Sequence, residues 1–400
     1  MGKLHRTFRN IINSTDLSFQ RKFDINWKNR MTAIIGARGV GKTTWILQQI
    51  KQRFPNLEQV LFASLDDLIF SSRTLVDVVD EFYAYGGRFL FLDEVHKYAN
   101  WSQELKNIYD SYPDLKVVFT SSSILNIYKG EYDLSRRVIQ YQMDGMTFQE
   151  FLELKYQIKS PALTFEQILD HEYEVQLAEI GEEKVLSYFH EYLSEGYYPF
   201  TIEPNFHFRL KKALEQVIDI DLLKIESMTL AKGQKIKKVL AIIADMVPYK
   251  PNISALSKKI NIHRDEISLA FHLLERARIL NLLIADTKGF NVLPKPEKIY
   301  FENTNLAYAL SSEPEIGNVR ETFFLNAMKN AGLAVNESKK SDFLVSRKWT
   351  FEIGGRNKTL QQIKGLENAF IVQDGITRGA LQALPLWAFG FLSNTFLKES

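Results

Sequence analysis

The sequence predicts an α/β protein: a parallel sheet with crossover helices, then a helical segment, a small three-helix unit with a β-wing, and a terminal unit of short strands. Three observations predict it. Short apolar runs alternate with longer amphipathic stretches from Met31 to about Gln142, the pattern of strands buried on both faces and joined by helices. A glycine-rich turn follows the first of these runs and leads straight into a helical pattern. A later run ends in two adjacent carboxylates, at the sheet edge where open α/β sheets bind ligands.

The strands of this sheet are expected at Met31–Ile35, Val60–Ala63, Phe89–Leu92, Val117–Thr120 and Arg137–Tyr141. From about Thr147 to Leu230 the pattern is helical, with periodic stretches at Phe165–Tyr173 and Glu182–Tyr192 and a turn at Gly196-Tyr197-Tyr198-Pro199. Helices follow from Ile236 to near Pro248, over Ile253–Ile260 and from Arg264 to Ala277. Apolar runs at Ile279–Ala285 and Phe290–Leu293 flank Asp286-Thr287-Lys288-Gly289, a hairpin signal. Three helices and such a wing predict a winged helix. After Pro294-Lys295-Pro296 a new unit is expected, with strands at Lys298–Phe301, Phe343–Val345, Thr350–Ile353 and Ala369–Val372.

Gly36-Ala37-Arg38-Gly39-Val40-Gly41-Lys42-Thr43 satisfies the phosphate-binding pattern G-x-x-x-x-G-K-[ST] between a strand and a helix, where the motif must lie. Glycines let the backbone N–H groups wrap a β-phosphate, because a Cβ would obstruct that nest. Lys42 is the point charge for the β- and γ-phosphates, Thr43 offers a hydroxyl to Mg²⁺, and the helix through Thr44 aims its positive end at the anion. The same spacing without a ligand would be a structural strand-to-helix turn. The sequence thus predicts a P-loop that binds ATP, with Gly36 to Thr44 as the binding residues.

Asp93-Glu94 closes the strand Phe89–Leu92. Asp93 is expected to steady Mg²⁺ with Thr43, and Glu94 to orient and deprotonate the attacking water. A glutamate directly after this aspartate favours hydrolysis of ATP over phosphoryl transfer and points to the additional-strand class of P-loop NTPases. In that class a polar residue at the tip of the intervening strand bonds the water or γ-phosphate. Within Thr120-Ser121-Ser122-Ser123 the expected residue is Ser122, although a serine run also serves as a helix cap. Leu134-Ser135-Arg136-Arg137 supplies an arginine finger candidate, acting in the same subunit or across an interface, against the commoner surface arginine.

Composition closes other classes. Hydrophobic residues at 45% and charged residues at 24% exclude a mostly disordered or collagen-like chain. A net charge of +2 excludes nucleic-acid binding by a global field and leaves only a local basic patch. The absence of cysteine excludes disulfides, thiolate metal sites and cysteine nucleophiles. No run approaches the ~18 apolar residues of a membrane span, and the opening residues predict neither a signal peptide nor a myristoylation site. The expectation is a cytoplasmic protein without membrane attachment. His5, His96, His171, His190, His207, His263 and His272 make no metal-ligand spacing.

These residues resemble the prokaryotic AAA-type ATPases of the AAA+ superfamily whose C-terminal half is a recurrent domain of unassigned function. The resemblance runs through Ile34 to Thr44, Leu65-Asp66-Asp67, Leu92-Asp93-Glu94-Val95-His96-Lys97, Asn100-Trp101, Thr120 to Ser123, Phe148-Gln149-Glu150-Phe151, Tyr198-Pro199 and Lys298-Ile299-Tyr300-Phe301. It covers nearly the whole chain. The family's Leu-x-Gly-Arg appears here as Leu134-Ser135-Arg136-Arg137, which makes Arg137 the better finger candidate. The resemblance also implies a winged helix followed by a restriction-endonuclease-like fold, whose metal site needs an aspartate and then Glu-x-Lys. Asp342 and Glu352 match, but Gly354 stands in the lysine position and Lys358 is expected to be a solvated loop residue. A nuclease-like domain without nuclease activity is the expectation. The expected organisation is 1–146 P-loop ATPase domain, 147–231 helical lid, 232–294 winged helix and 295–400 nuclease-like domain.

Between Lys232 and Arg264 stand eight Lys or Arg residues and one acid, Asp245. Lys235, Lys237, Lys238, Lys258 and Lys259 suit contacts to the phosphates of double-stranded DNA, whereas Asp265 and Glu266 oppose base reading by the third helix. A protein partner is the alternative for this module. A finger in trans would require a homo-oligomer. The function expected is therefore a Mg²⁺-dependent ATPase whose cycle switches contacts of the C-terminal half. The alternative is a nucleotide-gated DNA- or protein-binding module with negligible turnover, and a third possibility is an active nuclease rescued by Lys358.

Overall fold

The computed structural model describes residues 2–121, 134, 136–222, 229–244, 246–284, 296–311 and 313–393. They divide into two units, Met1–Gly145 and Met146–Ser400.

In the first unit the chain alternates strand and helix as the apolar runs require. Its elements are α1 (Gly2–Ser14), β1 (Met31–Ile35), α2 (Lys42–Arg53), β2 (Val60–Ser64), α3 (Leu75–Ala84), β3 (Phe89–Asp93), α4 (Trp101–Ser111), β4 (Lys116–Ser121) and β5 (Ile139–Gln142). The strand order is β2-β3-β4-β1-β5, with all four pairings parallel. β4 therefore lies between the strand that enters the glycine loop and the strand that ends in Asp93. This parallel sheet with flanking helices fits the P-loop NTPase α/β fold. Register sets the edge: Ile34 lies opposite Thr120, and Ser64 opposite Asp93. The core joins Ala33, Leu61, Leu90, Leu92 and Phe119 of the strands to Val78, Val79 and Phe82 of α3 and to Leu105 and Ile108 of α4. Thr74 opens α3 with a capping box completed by Asp77.

Helix α1 was not among the expected elements. Leu4, Phe8 and Ile12 recur at i, i+4 and i+8 and are all buried, one apolar stripe with charged residues on the other face. Phe8 meets Phe62 of β2 at a ring-centroid distance of 6.4 Å.

The second unit begins with helices at Phe148–Tyr156, Phe165–Leu169, Glu174–Ile180, Glu182–Glu195 and Phe206–Gln216, the first two opened by capping boxes at Thr147 and Thr164. Helices at Leu230–Ala244, Ile253–Ile260 and Arg264–Arg276 follow, then β6 (Leu280–Leu283), β7 (Lys298–Phe301) and helices at Thr304–Leu310 and Ile316–Asn330. The chain closes with β8 (Val335–Glu337), β9 (Phe343–Val345), β10 (Trp349–Gly354), β11 (Ala369–Gln373) and β12 (Ala383–Pro385), in the order β12-β11-β10-β9-β8. β10, β11 and β12 are parallel to one another, and β8 and β9 are antiparallel additions.

Two findings depart from the expected arrangement of this unit. β7, expected to open the terminal sheet, instead pairs antiparallel with β6, Leu280 opposite Phe301. Both strands are almost wholly buried, so each needs a partner for its backbone, and each provides one for the other. The expected wing, Asp286-Thr287-Lys288-Gly289 with Phe290–Leu293, lies outside the described residues. The early helices, expected as a lid segment, share a core with the terminal sheet. Phe165 packs on Trp349 and Phe351 of β10 at 5.1 and 6.0 Å, Tyr173 on Trp387 at 5.4 Å and Phe189 on Phe323 at 4.9 Å. Leu163 N–H also donates to Phe391 O at 2.8 Å. Aromatic pairs of this kind add ~0.5–1.5 kcal/mol each beyond area burial, which ties residues far apart in sequence into one core.

Candidate functional site

The loop from Gly36 to Gly41 leaves β1 and enters α2 at the C-terminal edge of the first sheet. Its glycines are demanded by geometry. Gly39 and Gly41 have φ of 86° and 98°, which side-chain-bearing residues rarely adopt. A Cβ on Gly36 would stand 2.1 Å from the Met143 carbonyl oxygen. Gly41 opens α2 without a side-chain cap, so the first N–H groups of the helix stay available for an anion. Arg21 braces the loop from behind. It donates to Val40 O and, at 2.9 Å each, to Asp144 O and Gly145 O.

Lys42 is buried, and its ammonium donates to the carbonyls of Gly36 at 2.9 Å and Ala37 at 2.8 Å. The charge that the pattern assigns to phosphate thus rests on the loop's own backbone. Thr43 Oγ1 donates to Asp93, 2.9 Å from Oδ2 and 3.1 Å from Oδ1. Thr120 Oγ1 donates to Asp93 Oδ1 and accepts from Glu94 N–H at 3.0 Å. Burial pushes the Asp93 carboxyl above its ordinary value and the charge of Glu94 adds to this, against the hydrogen bonds from Thr120 and Thr43 and the charge of Lys42. The donor set suits Mg²⁺: a hydroxyl and a carboxylate, both hard oxygen ligands, on a rigid strand end and a helix start. Among the described residues no group of three or more His, Asp or Glu side chains converges to hold a metal.

Glu94 sits in the left-handed region at φ 51°. Its carboxylate lies 3.5 Å from Arg38 Nη1 and 2.8 Å from Lys97 Nζ, and Lys97 also reaches Asp66 at 2.7 Å. Burial opposes the charge of Lys97, but its hydrogen bonds to Asp66 and Glu94 outweigh that and hold its pKa above the ordinary lysine value. His96 Nδ1 is 3.2 Å from Ser121 Oγ.

The sequence-based site is therefore brought together at Gly36 to Thr44, Asp93 and Glu94. Ser122 lies outside the described residues. Arg137 is not brought to the loop: it forms a two-pronged pair with Asp110, at 2.9 and 3.0 Å. It stands two residues before Ile139, which is level with Thr32 of β1, so about 16 Å of strand separates it from the edge that carries the loop. Sequence reasoning missed Thr120, although it singled out the run containing it, and it missed Arg21, Arg38 and Lys97 as partners of the loop and of Glu94. For Lys97 the signal was its spacing three residues after Glu94; for Arg21 there was none.

A second cluster of charged groups lies in the second unit. Asp342, just before β9, accepts from Ile353 N–H at 2.8 Å. Burial, reinforced by Glu321, pushes the Asp342 carboxyl up to about 6. Glu352 on β10 is buried, with Lys358 Nζ on its Oε1 and, among the described residues, no hydrogen-bond partner at Oε2. Lys358 was expected in solvent; instead its Cβ, Cγ and Cδ fill the space over Gly354, each 2.8 Å from where a Cβ would stand. The missing side chain at Gly354 is what lets Lys358 reach Glu352.

The basic stretch is largely spent on neighbours. Lys235 pairs with Glu266 at 2.7 Å, Lys237 with Asp219 at 2.6 Å, and Lys238 donates to Ile260 O at 3.0 Å. Glu266 is thereby neutralised within the fold, contrary to the expectation that it opposes a groove, while Lys258 and Lys259 remain exposed.

Residues 28–152 match the family model described as an AAA domain. This match supports an AAA-type ATPase in the first unit. Residues 186–316 match a second model, a domain of unknown function (DUF8612), which spans β6 and β7 together. An uncharacterized protein of Methanocaldococcus jannaschii is 26% identical over 380 residues, covering 86% of this chain and 80% of that protein. Among solved structures, a Walker-type ATPase of Pyrococcus abyssi is similar at 12% identity and a TM-score of 0.41, over 75% of this chain and 99% of that one. AMPPCP-bound DnaA from Aquifex aeolicus is similar at 15% identity and a TM-score of 0.26, over 69% and 89%. Likenesses this distant do not bear on function. No helix among the described residues is long and apolar enough to cross a membrane.

Proposed function

We propose that this chain is a Mg²⁺-dependent ATPase of AAA+ type whose nucleotide cycle switches contacts of its C-terminal half. The observation that carries the reading is the Thr43–Asp93 contact at 2.9 Å beside Lys42: a hydroxyl, a carboxylate and an ammonium from two elements meet at the mouth of a glycine loop. A triphosphate entering the loop would take Lys42 from the carbonyls of Gly36 and Ala37, and the loop N–H groups would hold the β-phosphate. Mg²⁺, held through Thr43 and Asp93, would supply charge to the β- and γ-phosphates. Glu94 would accept a proton from water as that water's oxygen bonds to the γ-phosphorus and the bond from phosphorus to the bridging oxygen breaks, releasing ADP and phosphate. Thr120, by bonding both Asp93 and the Glu94 N–H, would hold the two acids in register.

The test is phosphate release by wild type, Lys42→Ala and Glu94→Gln, with and without duplex DNA. Lys42→Ala is expected to lose nucleotide binding, and Glu94→Gln to bind ATP but turn over ~10²- to 10⁴-fold more slowly. Hydrolysis by Glu94→Gln at the wild-type rate would remove Glu94 as the base.

One observation favours the rival reading, a nucleotide-gated binding module with negligible turnover: Glu94 is engaged by two cations, Arg38 and Lys97. Tight ATP binding with no phosphate release would establish that rival. In either case a winged helix between residues 232 and 294 would meet DNA through Lys258 and Lys259 rather than through the paired Lys235 and Lys237. Reversing both exposed charges should weaken DNA binding and lower its salt slope; no change would favour a protein partner.

For the terminal unit the contact of Lys358 with Glu352 favours metal-assisted phosphodiester cleavage over an inactive nuclease-like fold, since it returns a lysine to the acid pair Asp342 and Glu352. Mn²⁺-dependent cutting that disappears in Glu352→Ala tests this; no cutting by wild type supports the inactive form.

A further inference from the structure

Arg38 is the one charged residue between Gly36 and Gly41, on the part of the loop that would enclose the phosphates. Its guanidinium lies 3.5 Å from the Glu94 carboxylate and is mostly buried, with 22% of the side chain exposed. A group that stays on this loop and still touches the water-activating acid stands between the β-phosphate cradle and the attacking water, which is where a γ-phosphate must go. Arg137, at the other edge of the sheet with Asp110, is not so placed.

We propose that Arg38 is the arginine that meets the γ-phosphate, from within the same subunit, and that until a γ-phosphate arrives it is held by Glu94. The proposal rests on the ATPase reading above. A planar guanidinium suits carboxylate and phosphate oxygens alike, so an arriving γ-phosphate, the more highly charged anion, displaces Glu94 from it. The same exchange has two consequences. Arg38 supplies charge to the transferring group without help from a neighbouring chain, and Glu94 keeps Lys97, which Asp66 holds in place. ADP has no γ-phosphate and leaves Arg38 on Glu94, so the loop distinguishes the two nucleotides.

The experiment is calorimetric titration of the full chain with Mg·ATP and Mg·ADP, together with phosphate release, for wild type, Arg38→Ala and Arg38→Lys. Thermal melts confirm that each variant folds. Arg38→Ala is expected to bind ADP within about threefold of wild type, to bind ATP about tenfold or more weakly, and to hydrolyse it roughly 10²- to 10³-fold more slowly. Arg38→Lys should recover part of the ATP preference. Mixing Arg38→Ala with Lys42→Ala should not restore turnover, because an arginine acting within its own subunit cannot be lent. An Arg38→Ala chain with wild-type ATP preference and rate, or turnover restored by mixing, would overturn the proposal while leaving the ATPase reading intact. A wild-type chain that binds neither nucleotide would overturn both.

Discussion

Thr120 joins the two acids of the site: its hydroxyl donates to Asp93 and accepts from the N–H of Glu94 at 3.0 Å. Replacing it with Val removes both bonds while keeping the shape. Thr120→Val should take one of the hydrogen bonds from the buried Asp93 carboxylate, leaving it those of Thr43, and remove the acceptor of the Glu94 N–H, at about 1–3 kcal/mol, and should slow ATP turnover more than it weakens ATP binding. Urea unfolding and phosphate release check the two parts; unchanged kinetics would mean that Thr120 is only structural.

Gly36→Ala would drive a methyl group against the Met143 carbonyl, 2.1 Å away. The backbone must move, at about 1–3 kcal/mol, and the loop moves with it. A lowered melting temperature together with lost nucleotide binding is expected. Wild-type affinity for ATP in this variant would show that the close approach is not needed to shape the loop.

Removing the ammonium in Lys358→Met leaves Glu352 buried without its cation. A cost of about 1–3 kcal/mol is expected, reduced from that of a fully buried pair because Lys358 is 31% exposed. Adding Glu352→Gln should recover most of it, since a neutral amide needs no counter-charge. Chemical denaturation of the single and double variants decides; a double variant no more stable than Lys358→Met would refute the charge argument.

His190 donates to Asp374 at 3.0 Å, and that hydrogen bond raises the His190 pKa above 6.5 despite partial burial. Because folding favours the protonated imidazole, its contribution is complete below the unfolded value of about 6.5 and is lost as pH rises through the higher folded value. The side chain is half exposed, so the contribution stays below about 1 kcal/mol. The gap in melting temperature between wild type and His190→Gln should therefore narrow as pH is raised from about 6 to 9. A gap independent of pH would contradict the assignment.

Phe8→Ala empties a fully buried position in α1. A loss of about 3 kcal/mol is expected, measurable by urea unfolding. A near-neutral result would mean that α1 does not belong to the core of the first unit.

The loop, its strand and the acid pair were legible because their signals are local. Glycines at Gly39 and Gly41 answer to positive φ, and the run Phe89–Leu92 to burial on both faces. The helical pattern from about Thr147 and at Phe165 was equally local, although the capping boxes at Thr147 and Thr164 that open those helices were not read from it. Helix α1 was passed over because its stripe of Leu4, Phe8 and Ile12 is only three residues long in a charged context. The pairing of β7 with β6 is close in sequence but joins two runs separated by a turn signal that pointed to another partner, and the packing of Phe165 on Trp349 depends on which apolar faces meet across most of the second unit.

From residue order alone followed the chemistry that a few neighbours dictate: a glycine nest for phosphate, a lysine and a threonine at its end, and two carboxylates closing a buried strand. Folding in three dimensions settled the partners. It put Arg38 and Lys97 on Glu94, carried Arg137 to the far edge beside Asp110, and laid Lys358 over Gly354 onto Glu352. Backbone demands are met within a turn or a strand and so leave a mark in adjacent residues. The charge that neutralises a buried acid can come from any part of the chain whose path the packing of the core brings close.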